Sequence, residues 1–268
     1  MNSLLLLGPI GMILVGVVSW VYWWRRTGAN PRLFLLGGVV WAVSIAPKFI
    51  MDYTVSPAIY SWLYAAGGLA GTLVIGGLYV GARTGLFECG ATYLAADRSS
   101  LRDASAEDAA AFGIGFGATE AVVLAVPSLI QMVSLLTNPG LLDALPLDQR
   151  VTILAQLNSP TWLAAVPIVE RAFTLLAHLY ASLLAISAVR PGLRRRLLWA
   201  VVYKGAVDVP VPYFQWLLST STSAIVYLIE LWVVALGTIG LFLSIRMIRE
   251  WPRESELQPP LEDKSVNS

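Results

Sequence analysis

Two carboxylates, Glu88 and Glu120, stand beside or inside strongly apolar stretches of the chain. A carboxylate in a membrane segment is costly and by default marks a functional site. The chemistry open to it is activation of water, binding of a proton or ion, or ion pairing. Further groups follow: Glu170, Arg171 and His178, then Lys204 and Asp208, then Glu230. Arg171, Thr174, His178 and Ser182 fall at i, i+3, i+7 and i+11, one face of a helix. Lys204 and Asp208, four apart, share another face. Lipid exposure would be expensive, so both faces are expected to turn into a helix bundle. Opposite signs predict buried pairs of Glu120 or Glu170 with Arg171 or Lys204. Each group also has a structural reading. Glu120, Glu170 and Arg171 serve equally as ion pairs that hold helices in register. His178 reads as a core histidine bonded to a carboxylate or carbonyl ahead of a catalytic base. Pairing is the expectation for Glu230. The single histidine and the single cysteine, Cys89, leave no multi-histidine metal site, no cysteine cluster and no internal disulfide. No HExxH pair occurs, and neither a metal nor another cofactor is expected.

The elements that must position these groups are membrane helices. Hydrophobic residues make up 57% of the 268-residue chain and charged residues 13%, with mean hydropathy +0.69. A soluble domain carries about 25% charged residues, so the reading is an all-α polytopic membrane protein. A net charge of +1 offers nothing to nucleic acid. About seven transmembrane helices are expected, at 4–24, 32–50, 58–96, 109–136, 161–189, 197–216 and 223–248. The third is too long for one crossing and must tilt, protrude or break, near Gly81 or Gly85. Its glycine-rich run, with small residues at helical spacing, suits close helix packing. Gly113, Gly115 and Gly117 read as a packing surface, since no strand precedes them and no GK[ST] follows. Ser105 and Asp108 form a helix-start signal for the fourth span. Pro127 marks a kink, and Pro210 and Pro212 interrupt the sixth span. A short helix is expected before Pro160.

Arginine and lysine set the orientation. With the N-terminus outside, the inner segments hold Arg25, Arg26, Arg32, Arg83, Arg98, Arg102, Arg190, Arg194, Arg195, Arg196, Arg246, Arg249, Arg253 and Lys264, and the outer loops only Lys48 and Arg150. Residues 1–250 read as one transmembrane domain, and 251–268 as a polar, disordered cytoplasmic tail. A multi-pass protein of the cell membrane follows, with the lipid bilayer as its surroundings.

Four stretches in order, GLFECGATYLA (85–95), FGIGFGATEAVVL (112–124), VERAFTLLAHLYASLLAISAV (169–189) and YKGAVDVP (203–210), resemble the YhfC family of membrane proteins. The resemblance implies an intramembrane-protease-like bundle, distantly related to the CAAX prenyl-processing and bacteriocin-processing group. It also implies glutamic-type peptidase chemistry, in which a glutamate and histidines activate water. Glu88 matches the first glutamate of the family pattern, while Cys89 and Thr92 replace its second glutamate and its arginine. Gly113, Gly115, Gly117 and Glu120 match the second stretch, but Phe116 replaces a histidine. Glu170, Arg171, His178 and Ser182 match the third. Asp208 matches the fourth, and Lys204 replaces its histidine. Phe116 can neither orient water nor stabilise an oxyanion. Lys204 could stabilise an oxyanion, but would make a nearby Glu88 a weaker base. The expectation is a protein with lost or strongly altered peptidase activity. It binds a transmembrane or lipidated protein or peptide in an intramembrane cavity. One alternative is an active peptidase using Glu88 with His178 and Lys204. A transporter or seven-span sensor, with Glu120, Glu170 and Glu230 as ion sites, is the other, although no inverted repeat is evident.

Overall fold

The computed structural model describes residues 2–220 and 226–251, and among them it is helical throughout, with no strand. The helices are α1 (Leu7–Thr27), α2 (Pro31–Thr54), α3 (Ser56–Thr84), α4 (Gly90–Asp97), α5 (Ala106–Thr137), α6 (Leu147–Leu157), α7 (Ala165–Ser187), α8 (Arg195–Asp208), α9 (Val211–Thr220) and α10 (Val226–Arg249). Among the described residues, six stretches are long and apolar enough to cross a membrane: Ser3–Thr27, Pro31–Thr54, Ser56–Asp97, Ala106–Thr137, Thr161–Ser187 and Ile229–Arg249. The expected sixth span is instead two short helices, α8 and α9, parted where Pro210 and Pro212 lie. The expected start of the last span at 223 and the tail beyond Trp251 lie outside the described residues.

Local chemistry sets the helix starts. The Asn30 side chain accepts from Arg32 N at 3.0 Å, with Pro31 in the first helical position of α2. Ser105 Oγ accepts from Asp108 N at 3.1 Å and starts α5. The Asp108 carboxylate takes the Asn30 amide at 3.2 Å and so ties α5 to the turn before α2.

The 42-residue stretch Ser56–Asp97 is folded, and the fold is not at Gly81. Gly68 has φ 59 and ψ −156, a backbone open essentially to glycine alone. The chain returns there on itself. Ser56 Oγ lies 2.9 Å from Tyr79 Oη, whereas 23 residues of straight helix would part them by about 34 Å. Tyr60 and Tyr79 meet edge to face at 6.3 Å. From Gly68 the second arm runs unbroken to Asp97, through a single widened π turn at Gly85–Cys89. The expected break near Gly85 is therefore a local widening, and the reversal lies 17 residues earlier.

This hairpin corrects one assignment of sides. Arg83 was expected in an inner segment, opposite Lys48. It bonds instead to Lys48 O at 3.4 Å and forms an ion pair with Asp52, so all three sit at one level. Among the described residues, the segments around Arg25, Arg102, Arg190 and Arg249 do gather at one end. Trp23 Nε1 donates to Glu107 O at 2.9 Å, and Trp251 Nε1 and an Arg190 amine both donate to Ala104 O. At the opposite end Asn2 N donates to Leu157 O at 2.6 Å.

Helix α5 is the hub, with α1, α2 and α7 packed around it. Its glycine string explains the fit. A Cβ at Gly115 would meet Phe34 O of α2 at 2.1 Å, while Cβ atoms at Gly113 and Gly117 would meet Leu179 and Leu175 of α7 at 3.0 Å. The second arm of the hairpin packs on α8 in the same way. Cβ atoms at Gly77, Gly81 and Gly85 would lie 2.3, 2.6 and 2.3 Å from the carbonyl oxygens of Val209, Gly205 and Val201. Four-residue spacing of glycine on one face lets the two backbones touch. That contact sets Glu88 beside Lys204.

Candidate functional site

Glu88 lies in the π turn and is 3% exposed. Such a turn inserts an extra residue into the helix and often marks a functional site. Its carboxylate is held between two ammonium groups. Lys48 Nζ of α2 donates to Oε1 at 2.5 Å, and Lys204 Nζ of α8 lies 3.3 Å from Oε2. His178 Nδ1 of α7 is 3.7 Å from the same Oε2. Among the described residues, Oε2 accepts no hydrogen bond.

A second carboxylate stands on the far side of the imidazole. His178 Nε2 is 2.9 Å from Glu120 Oε2. Trp41 Nε1 donates to Glu120 Oε2 at 2.9 Å, and an Arg171 amine lies 2.5 Å from Oε1. Arg171 also pairs with Glu170, whose side chain is 37% exposed. The expected pairs of Glu120 and Glu170 with Arg171 are therefore formed. Lys204 pairs with Glu88 rather than with either of them. Lys204 and Asp208 line one cavity, but no ion pair joins them among the described residues. Glu230, expected to be paired, has a buried Oε2 with no hydrogen-bond partner among the described residues.

Two cavities meet at Glu88. The smaller, about 10 Å³, is lined by Glu88, Cys89, Thr92, Phe116, His178, Ala181, Ser182 and Lys204. That is close to the room one water molecule needs. Glu88, Phe116 and Lys204 thus border one cavity. The Phe116 ring lies 5.0 Å from the His178 ring and makes that wall apolar. The larger cavity, about 340 Å³, reaches the size of a ligand site. Its charged floor includes Lys48, Glu88, Glu120, Glu170, Arg171, Lys204 and Asp208, and its walls include Trp41, Phe49, Leu124, Val211 and Phe214. The predicted face of α7 is shared out between the two, with Arg171 and Thr174 on the larger and His178 and Ser182 on the smaller.

Lys48 is the residue that the sequence reading missed. The charge count put it in an outer loop, with α2 ending near Ile50. The helix runs on to Thr54 against the hairpin, so Lys48 sits inside the bundle with its side chain 12% exposed. A lysine within one turn of an apparent span end carries the same sequence signal whether it snorkels outward or turns inward.

Residues 11–235 match the family described as YhfC intramembrane metalloprotease, and the chain belongs to that family. No curated protein and no solved structure matches it. The family description implies a metal, and the donors present here do not fit one. A catalytic zinc site uses three protein ligands. Among the described residues no group of three histidine, cysteine, aspartate or glutamate side chains is placed to hold an ion. Glu88 and His178 Nδ1 are two possible donors, and ammonium and phenyl groups line the cavity beside them. At about 4 Å and an effective dielectric near 20, each ammonium would repel a dication by about 8 kcal/mol.

Proposed function

We propose that this YhfC family member binds a membrane-embedded segment of a protein or peptide without hydrolysing it. The observation that carries the reading is the double lysine clamp on Glu88. A general base must take a proton from a water held beside it. A carboxylate neutralised by two ammonium groups does this poorly. The Phe116 wall offers neither a water ligand nor an oxyanion donor where one is needed. Binding remains well served. The 340 Å³ cavity combines apolar walls with a floor that can meet backbone amides and carbonyls. The segment is that of a transmembrane or lipidated partner in the cell membrane.

The test is a benzophenone side chain at Phe214, crosslinked in proteoliposomes to a panel of transmembrane peptides. Crosslinked peptides recovered at full length support the reading. Adducts recovered as fragments, with fragmentation lost in Glu88→Gln, overturn it.

One observation favours the family's chemistry instead. Glu88 Oε2 accepts no hydrogen bond and borders a cavity near the size of one water. In that alternative Glu88 is the base, His178 orients the water and Lys204 stabilises the oxyanion. The same fragments would be its signature.

A further inference from the structure

We infer that the Lys204 ammonium fills the space beside Glu88 and His178 that a divalent metal would need, so this centre is built on a fixed organic cation and takes no metal. The family description implies an ion, and a metal at this spot would need three ligands from the chain. Glu88 Oε2 and His178 Nδ1 lie 3.7 Å apart, the spacing of two ligands around one small cation. Lys204 Nζ approaches the same Oε2 to 3.3 Å, and its residue is 3% exposed. The ammonium thus takes up the volume and part of the charge of the ion. Lys48, on the other carboxylate oxygen, supplies a second positive charge from α2. Phe116 closes the remaining wall with carbon. Together they tie α2, the hairpin arm, α7 and α8 to one carboxylate with no ion to gain or lose.

Removing both ammonium groups while supplying a third ligand should reverse the arrangement. Lys204→His/Lys48→Met would give Glu88, His178 and a second imidazole, a two-histidine, one-glutamate set that suits zinc or cobalt, with neither ammonium left to repel the ion. The full-length protein is purified in detergent without chelator, dialysed against cobalt(II), and read by elemental analysis and visible absorption. The wild type is expected to hold less than about 0.1 metal per chain, with melting unmoved by chelator. Lys204→His/Lys48→Met is expected to take up about one cobalt per chain, with the ligand-field bands of a tetrahedral site, lost again when His178→Phe is added. About one chelator-removable metal per wild-type chain would overturn the inference. So would a folded Lys204→His/Lys48→Met protein that binds no cobalt. If the double variant fails to fold, the metal content of the wild type decides alone. Metal content and peptide cleavage are separate readouts, so a metal-free chain that cut its peptide would overturn the binding function and leave this inference standing.

Discussion

Glu120 and Arg171 show what a buried ion pair does at the scale of single residues. Arg171 joins Glu120 of α5 to Glu170 of its own helix, and Glu120 also takes the Trp41 indole of α2. Removing the cation alone leaves the Glu120 carboxylate without its arginine in a desolvated place, while Glu170 is partly open to its surroundings. Arg171→Met is expected to cost about 3–5 kcal/mol of stability, and the double variant Arg171→Met/Glu120→Gln less than the single one. Reversible unfolding in mixed detergent micelles measures both. Equal losses in single and double variants would mean that the pair does not act as a unit. These residues were legible as charges of opposite sign in adjacent apolar segments. Lys48 was not, because its pairing depends on a helix that continues past the point where hydropathy falls.

At the scale of elements, glycine decides which helices touch. Gly81→Leu would drive a side chain into Val209 and the Gly205 carbonyl, both within 2.6 Å of the new Cβ. It is expected to part the hairpin arm from α8 and to lower stability by about 1–3 kcal/mol or more. Gly90→Ala serves as the contrast, since its Cβ would meet nothing within 4 Å. There a gain of up to about 1 kcal/mol is expected. Thermal melts of the two variants side by side check the difference in sign. Gly68→Val should destabilise by about 1–3 kcal/mol for another reason, its positive φ at the hairpin turn. An intact melting temperature there would contradict the hairpin. The sequence made the packing glycines, the Ser105 cap and the proline break between α8 and α9 readable, because each has a local cause. The reversal at Gly68 stayed hidden. It lies in a run where every glycine looks like a packing position, and only the Tyr60 and Ser56 contacts to Tyr79 tell them apart.

Across the whole molecule, the ends of the bundle carry different charge. The segments around Arg25, Arg102, Arg190 and Arg249 meet through Ala104, Glu107 and Asp108. Positive segments face the cytoplasm. Reporter fusions placed after Arg102 and at the C-terminus should therefore both report a cytoplasmic location, and one placed near residue 145 the opposite side. The two cavities lie away from this end, where α2, α5, α7 and α8 converge on Glu88. Family membership is that of the YhfC intramembrane metalloproteases, and the side chains at the centre are those of a salt-bridged core. The most direct test of a non-hydrolytic centre is turnover itself. The purified protein is reconstituted with fluorogenic transmembrane and lipidated peptides, and wild type is compared with Glu88→Gln. The expected result is no product above the protein-free rate and no difference between the two. Product formed by the wild type and abolished by Glu88→Gln would contradict the account.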